Sequence, residues 1–133
     1  MNDSKKAEKY FKKSLSIFPE GDIALENLGT LYLDQNDIKD ASIIYSIFTQ
    51  NYPEQPKAYL GLAKTEYQDK IYEAALYHSI LAINYFKDSQ TSELTETNKL
   101  IKLIYANMKK NGQLTTFMEI AKENNFNFPA DKI

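Results

Sequence analysis

General acid–base chemistry, nucleophilic catalysis and metal binding each need particular side chains, and this chain is sparing with them. It holds one histidine, His78, and no cysteine among 133 residues. Without a thiol, thiolate catalysis, disulfide stapling and cysteine-bound zinc or iron–sulfur clusters are excluded. His78 sits between Tyr77 and Ser79 with no acid matched to it, so it reads as a structural or partly exposed side chain rather than one member of a triad. Asp34, Asp37 and Asp40 gather acid in one stretch, but they lack the alternating oxygen ligands and turn glycine of a calcium loop and read as a solvated turn. The four glycines, at 21, 29, 61 and 112, form neither GxGxxG nor GxxxxGK, so no known phosphate loop is present. No cofactor or metal is expected, and the chain is expected to catalyse nothing.

What remains is binding. Sixteen Lys and Arg stand against 18 Asp and Glu, a net charge of −2, which offers no overall field to a nucleic-acid backbone or an anionic membrane. The lysine pairs near Lys12 and Lys109 read as solubilising helix faces. No apolar stretch reaches the ~18 residues of a membrane span, and Met1 to Ser16 carries five lysines and no apolar run of secretory length. A folded, soluble, cytoplasmic protein is expected, with 43% apolar and 26% charged residues near the globular average. A length of 133 residues suits a single domain with its own core.

The elements that would present a binding surface come from a repeat. Ala7, Ala41 and Ala75 stand at intervals of 34 residues, and Phe11, Tyr45 and Ser79 follow each by four. Pro19 and Pro53 keep the interval, as do Leu25 with Tyr59, Leu28 with Leu62, and Gly29 with Ala63. Apolar residues recur at helical spacing through Ile23, Leu25, Leu28, Leu31 and Tyr32, and again through Ile38, Ala41, Ile44, Tyr45 and Phe48. The polar stretches Asp34 to Asp37 and Gln68 to Lys70 are the length of tight connections between antiparallel helices. Asp22 suits an N-cap, and Pro56 a first helical turn. Thr91 or Ser92 would open a long helix through Met108 and Lys109, ended at Asn111-Gly112 and followed by a last helix from Leu114 to Glu123. About seven helices result, and the tyrosines at helical spacing, Tyr32, Tyr45 and Tyr59, belong to their core.

The segment from Asp22 to Pro53, with Leu25, Leu28, Gly29, Tyr32, Ala41, Tyr45 and Pro53, resembles the tetratricopeptide repeat. The next, from Pro56 to Ser89, keeps Tyr59, Leu62, Ala63, Tyr72, Ala75 and Ala82 but has Glu66 and Ser79 where the family has aromatics. The last forty residues fit only after an offset of about eight. The resemblance implies an all-α fold, a right-handed superhelix of stacked antiparallel hairpins. It divides the chain into a half repeat or capping helix over 1–20, repeats over 22–55 and 56–89, a degenerate repeat or capping hairpin over 90–125, and a tail over 126–133. It also implies a concave groove lined by the first helices of the hairpins, which takes a peptide or helix of a partner protein. By spacing that face carries Asn27, Thr30 and Asp34, then Lys57, Lys64 and Tyr67, with Lys99 and Lys102 continuing it. Asn27 suits the backbone of an extended peptide, and Lys57 and Lys64 suit acidic side chains or a terminal carboxylate. Asn27 and Lys57 match two places of the carboxylate clamp found in some members, but Gly61 stands where that clamp needs an arginine. Pairing of two copies into a homodimer through the terminal helices, with Phe11, Leu15 and Ile17 at the exposed end, is the alternative.

Overall fold

The computed structural model describes residues 21–86 and 91–127, together with Lys9. Six α-helices hold most of the described residues: α1 (Asp22–Asp34), α2 (Ile38–Asn51), α3 (Pro56–Gln68), α4 (Tyr72–Tyr85), α5 (Thr91–Lys110) and α6 (Leu114–Glu123). The helix or half repeat expected over 1–20, with its Phe11, Leu15 and Ile17, lies outside the described residues, as does the tail beyond Asn127.

Local chemistry sets the boundaries. Asp22 lies inside the first turn of α1 and the extended Gly21 takes the N-cap position, one residue earlier than the sequence suggests. The Asp22 carboxylate accepts from the Ile23 N–H at 2.9 Å and complements the positive end of the helix dipole there. Asp37 caps α2 by accepting from the Asp40 N–H at 3.4 Å, and Pro56 opens α3 where its missing N–H costs nothing. Four helices end on the same device, a residue in the left-handed region followed by a backbone hydrogen bond to a carbonyl of the last turn. Asn36 (φ 58°) and Lys70 (φ 62°), themselves 34 apart, close α1 and α3, and Gly112 (φ 75°) and Asn125 (φ 57°) close α5 and α6. The returning N–H donors are Asp37 to Tyr32, Ile71 to Glu66, Gln113 to Met108 and Phe126 to Ala121, at 2.7–2.9 Å.

The buried residues divide into two clusters that meet in α3. Leu25, Leu28, Tyr32, Ala41, Tyr45, Phe48, Ala58 and Leu62 join α1, α2 and one side of α3. Leu60, Ala63, Leu76, Ile80, Ile101, Ile104, Met108 and Phe117 join the other side of α3 to α4, α5 and α6. Each of α1 to α4 packs on its successor, α4 also packs on α6, and α5 packs on α6. α3 additionally touches α1 on one side and α5 on the other, so the three run as neighbours along one face. Three buried hydroxyls, Thr65, Ser79 and Thr97, donate to the carbonyl four residues back at 2.7–2.8 Å, which lets small polar side chains sit in an apolar interior.

Candidate functional site

The face shared by α1, α3 and α5 holds a cleft of about 180 Å³, lined by Glu26 and Thr30 of α1, Lys57, Leu60, Gly61 and Lys64 of α3, and Glu93 and Glu96 of α5, with Tyr45 of α2 at its floor. Gly61 makes that floor. A Cβ there would lie 2.0 Å from Tyr45 Cε1, and one on Gly29 would lie 2.8 Å from Tyr45 Cζ. The ring of Tyr45 therefore reaches the cleft between two helices because both lack a side chain at the crossing. Its hydroxyl and that of Thr30 form a hydrogen bond of 3.1 Å. Burial holds the Tyr45 phenol above its ordinary value of 10.0. The hydrogen bond from Thr30 opposes that rise, while the negative charges of Glu26, Asp34 and Glu96 add to it. The phenol at the floor is thus a neutral hydroxyl.

Two ion pairs cross the cleft. Lys57 Nζ stands 3.6 Å from Glu26 Oε1, tying α3 to α1, and Lys64 pairs with Glu96, tying α3 to α5. Of the six residues the sequence points to, Thr30, Lys57 and Lys64 come together here. Asn27 and Asp34 are exposed on α1 outside the lining. Tyr67 is half-buried against the second core: its hydroxyl accepts from Asn107 Nδ2 at 3.1 Å, and its ring meets Tyr72 at 5.7 Å between centroids. Lys99 and Lys102 are exposed on α5. Glu26, Glu93 and Glu96 are the residues sequence reasoning missed. Glu26 could have been found as the neighbour of Asn27, one step along the same helix; Glu93 and Glu96 could not, because α5 departs from the 34-residue register.

A second polar arrangement lies between α3 and α4. His78 Nδ1 donates to Glu66 Oε1 at 2.6 Å, so the histidine has the acid partner that its immediate sequence lacks. The imidazole stacks on Tyr59 at 6.3 Å and meets the edge of Tyr77 at 5.2 Å. Tyr59 in turn stacks on Tyr85 at 5.6 Å and donates its hydroxyl proton to the Pro53 carbonyl at 2.6 Å. Partial burial raises the Tyr59 phenol, with smaller contributions from Tyr85 and Tyr77. With rings on both sides and a carboxylate on Nδ1, His78 fastens the second hairpin. Glu66 supplies the carboxylate that makes the pair.

A wider groove of about 530 Å³ opens beside α2, lined by Ile38, Ser42 and Ile43 with Glu66, Asp69 and Ile71. Ile43 and Ile71 are each about half exposed along it, at 50% and 49%. Among the described residues no group of three His, Asp or Glu is arranged to hold a metal ion, and no helix is long and apolar enough to cross a membrane. No protein-family model matches the chain, and no curated protein matches it.

Proposed function

We propose that the chain is a tetratricopeptide-type repeat, its hairpins stacked in a right-handed superhelix, and that it binds a peptide or helix of a partner protein without catalysing a reaction. The cleft of α1, α3 and α5 carries this reading. Alternate helices share one face, that face holds a cleft, and its lining brings an apolar side chain, Leu60, together with the paired hydroxyls of Thr30 and Tyr45. A largely polar cleft with one small apolar patch offers directed hydrogen-bonding and ion-pairing groups to the backbone and side chains of a peptide. The left-handed Asn36 and Lys70, spaced 34 apart at the ends of α1 and α3, support the repeat itself.

The test is to select binders from a displayed library of random peptides and to measure their affinity for the wild type and for Thr30→Trp. Thr30 is exposed at the rim, so an indole there fills the cleft without entering the core. Affinity falling by about tenfold or more, with helicity unchanged by circular dichroism, supports the cleft as the site. Unchanged affinity would remove the cleft from consideration. Assembly through the terminal helices is the second reading, favoured by Leu114 and Met118, which are 37% and 42% exposed on α6. Sedimentation across a concentration range separates it from the first.

A further inference from the structure

The charges around the cleft are three carboxylates, Glu26, Glu93 and Glu96, and two ammonium groups, Lys57 and Lys64. Their arrangement is ordered: acid on α1, base on α3, acid on α5. Both lysines are already engaged, Lys57 by Glu26 and Lys64 by Glu96. Glu93 is half-buried and has no cationic partner among the described residues. It lies three residues before Glu96 on the same helical face, where two like charges raise each other's cost.

We infer that the peptide taken by this cleft presents a cationic side chain, lysine or arginine, to Glu93 and Glu96, with the Thr30–Tyr45 hydroxyl pair beside it. This rests on the peptide-binding reading of the cleft and deepens it. An incoming carboxylate would find both ammonium groups occupied and acid on both walls. To bind Lys57 or Lys64 it would have to displace Glu26 or Glu96 and leave that carboxylate unpaired. An incoming ammonium or guanidinium breaks neither pair. It meets the open Glu93, relieves its repulsion from Glu96 and brings the five charges to neutrality. Either hydroxyl of the Thr30–Tyr45 pair can accept a further N–H from it. The expectation from spacing, that Lys57 and Lys64 recognise an acidic ligand, treats each lysine as free. The walls that neutralise them reverse the sign.

Two conservative variants of the full chain give opposite signs. Peptides selected from a displayed random library on the wild type should be enriched in Lys or Arg over the input library. Their affinity should fall about tenfold on Glu93→Gln, which removes the open carboxylate. It should rise on Lys64→Gln, which releases Glu96 to the ligand. Added salt should weaken the wild-type complex. Circular dichroism on both variants checks that they are folded, and both positions are solvent-accessible enough that folding is expected to survive. If the selected peptides carry Asp, Glu or no charge bias, and bind Lys64→Gln more weakly while ignoring Glu93→Gln, the cationic assignment is overturned and the peptide-binding reading stands. If no peptide is enriched over an unrelated helical control protein, both fall.

Discussion

Related positions in the two central hairpins are filled in opposite ways. In the first, Gly29 faces the large ring of Tyr45; in the second, 34 residues on, Ala63 and Ser79 occupy the same two places and both are fully buried. A ring at 45 needs a missing Cβ at 29 and another at 61. Where the methyl of Ala63 is present, the partner shrinks to a serine that satisfies its own hydroxyl on Ala75 O at 2.7 Å. The methyl gained at Ala63 is far smaller than the ring lost at Ser79, so side chains from the later helices fill the difference, as close packing requires. The exchange has a consequence at the surface, because the ring of Tyr45 passes between the helices to floor the cleft. Ser79 stops short, and the second core is closed instead by Ile101, Ile104, Met108 and Phe117.

The sharpest way to break this comparison is to truncate both residues. Tyr45→Ala removes a ring that is 3% exposed and held on two sides by backbone. A loss of about 3–5 kcal/mol is expected. Ser79→Ala removes one hydroxyl that bonds back within its own helix, and should cost less than about 1 kcal/mol. Urea unfolding of the two variants measures both. Similar losses would mean that the hairpins are held alike and that the packing contrast has no energetic weight.

The glycine side of the pair gives the next effect. Gly61→Ala would gain about 1 kcal/mol of helix propensity if the site were open. A Cβ 2.0 Å from Cε1 of a buried ring, and 2.4 Å from the ring atoms on either side, cannot be relieved by a small rotation. Overpacking should therefore win, with a net loss of about 1–3 kcal/mol. Combined with Tyr45→Ala the penalty should largely vanish, a coupling that a double-mutant cycle reads directly. An additive cycle would place the clash elsewhere.

Much of this was legible in the sequence, and the unread part has definite causes. The helix boundaries from α1 to α4 follow from local residues: Asp37, Pro56 and the polar connections act within a few positions of themselves. The expected span of α5 and α6 agrees with the structure for the same reason. Pairings across helices were harder. Glu66 and His78 are twelve residues apart, and Glu66 read only as a poor substitute for an aromatic until the hairpin set it against the imidazole. Tyr67 has helical spacing from Lys64, which suggests an open face, but the 20-residue α5 brings Asn107 over it. The spacing of Lys57 and Lys64 puts them on one face of α3, and both line the cleft. That each meets a glutamate from a neighbouring helix depends on which helices lie side by side, and local periodicity carries no such information.

The smallest effect concerns the hydroxyl at the end of the Tyr45 ring, and it shows in the pH dependence. Tyr45→Phe keeps the ring between the glycines and loses only the bond to Thr30, so at neutral pH it should cost about 0.5–1.5 kcal/mol. The phenol titrates higher in the folded chain than its ordinary 10.0, because burial disfavours the phenolate. The folded state then holds a proton that the unfolded state has released once the pH passes about 10. Stability from this source is complete below that value and is lost as the pH climbs through the raised folded value. The fall cannot exceed about 1.4 kcal/mol per pH unit for one group. Tyr59 titrates in the same direction but is only partly buried where Tyr45 is buried, so Tyr45→Phe should flatten the alkaline decline more than Tyr59→Phe does. Thermal unfolding between pH 8 and about 11 makes the comparison. An equal flattening by both variants would mean that the ring between Gly29 and Gly61 is no drier than the partly buried one on the second hairpin, and the contrast between the two cores would lose its physical basis.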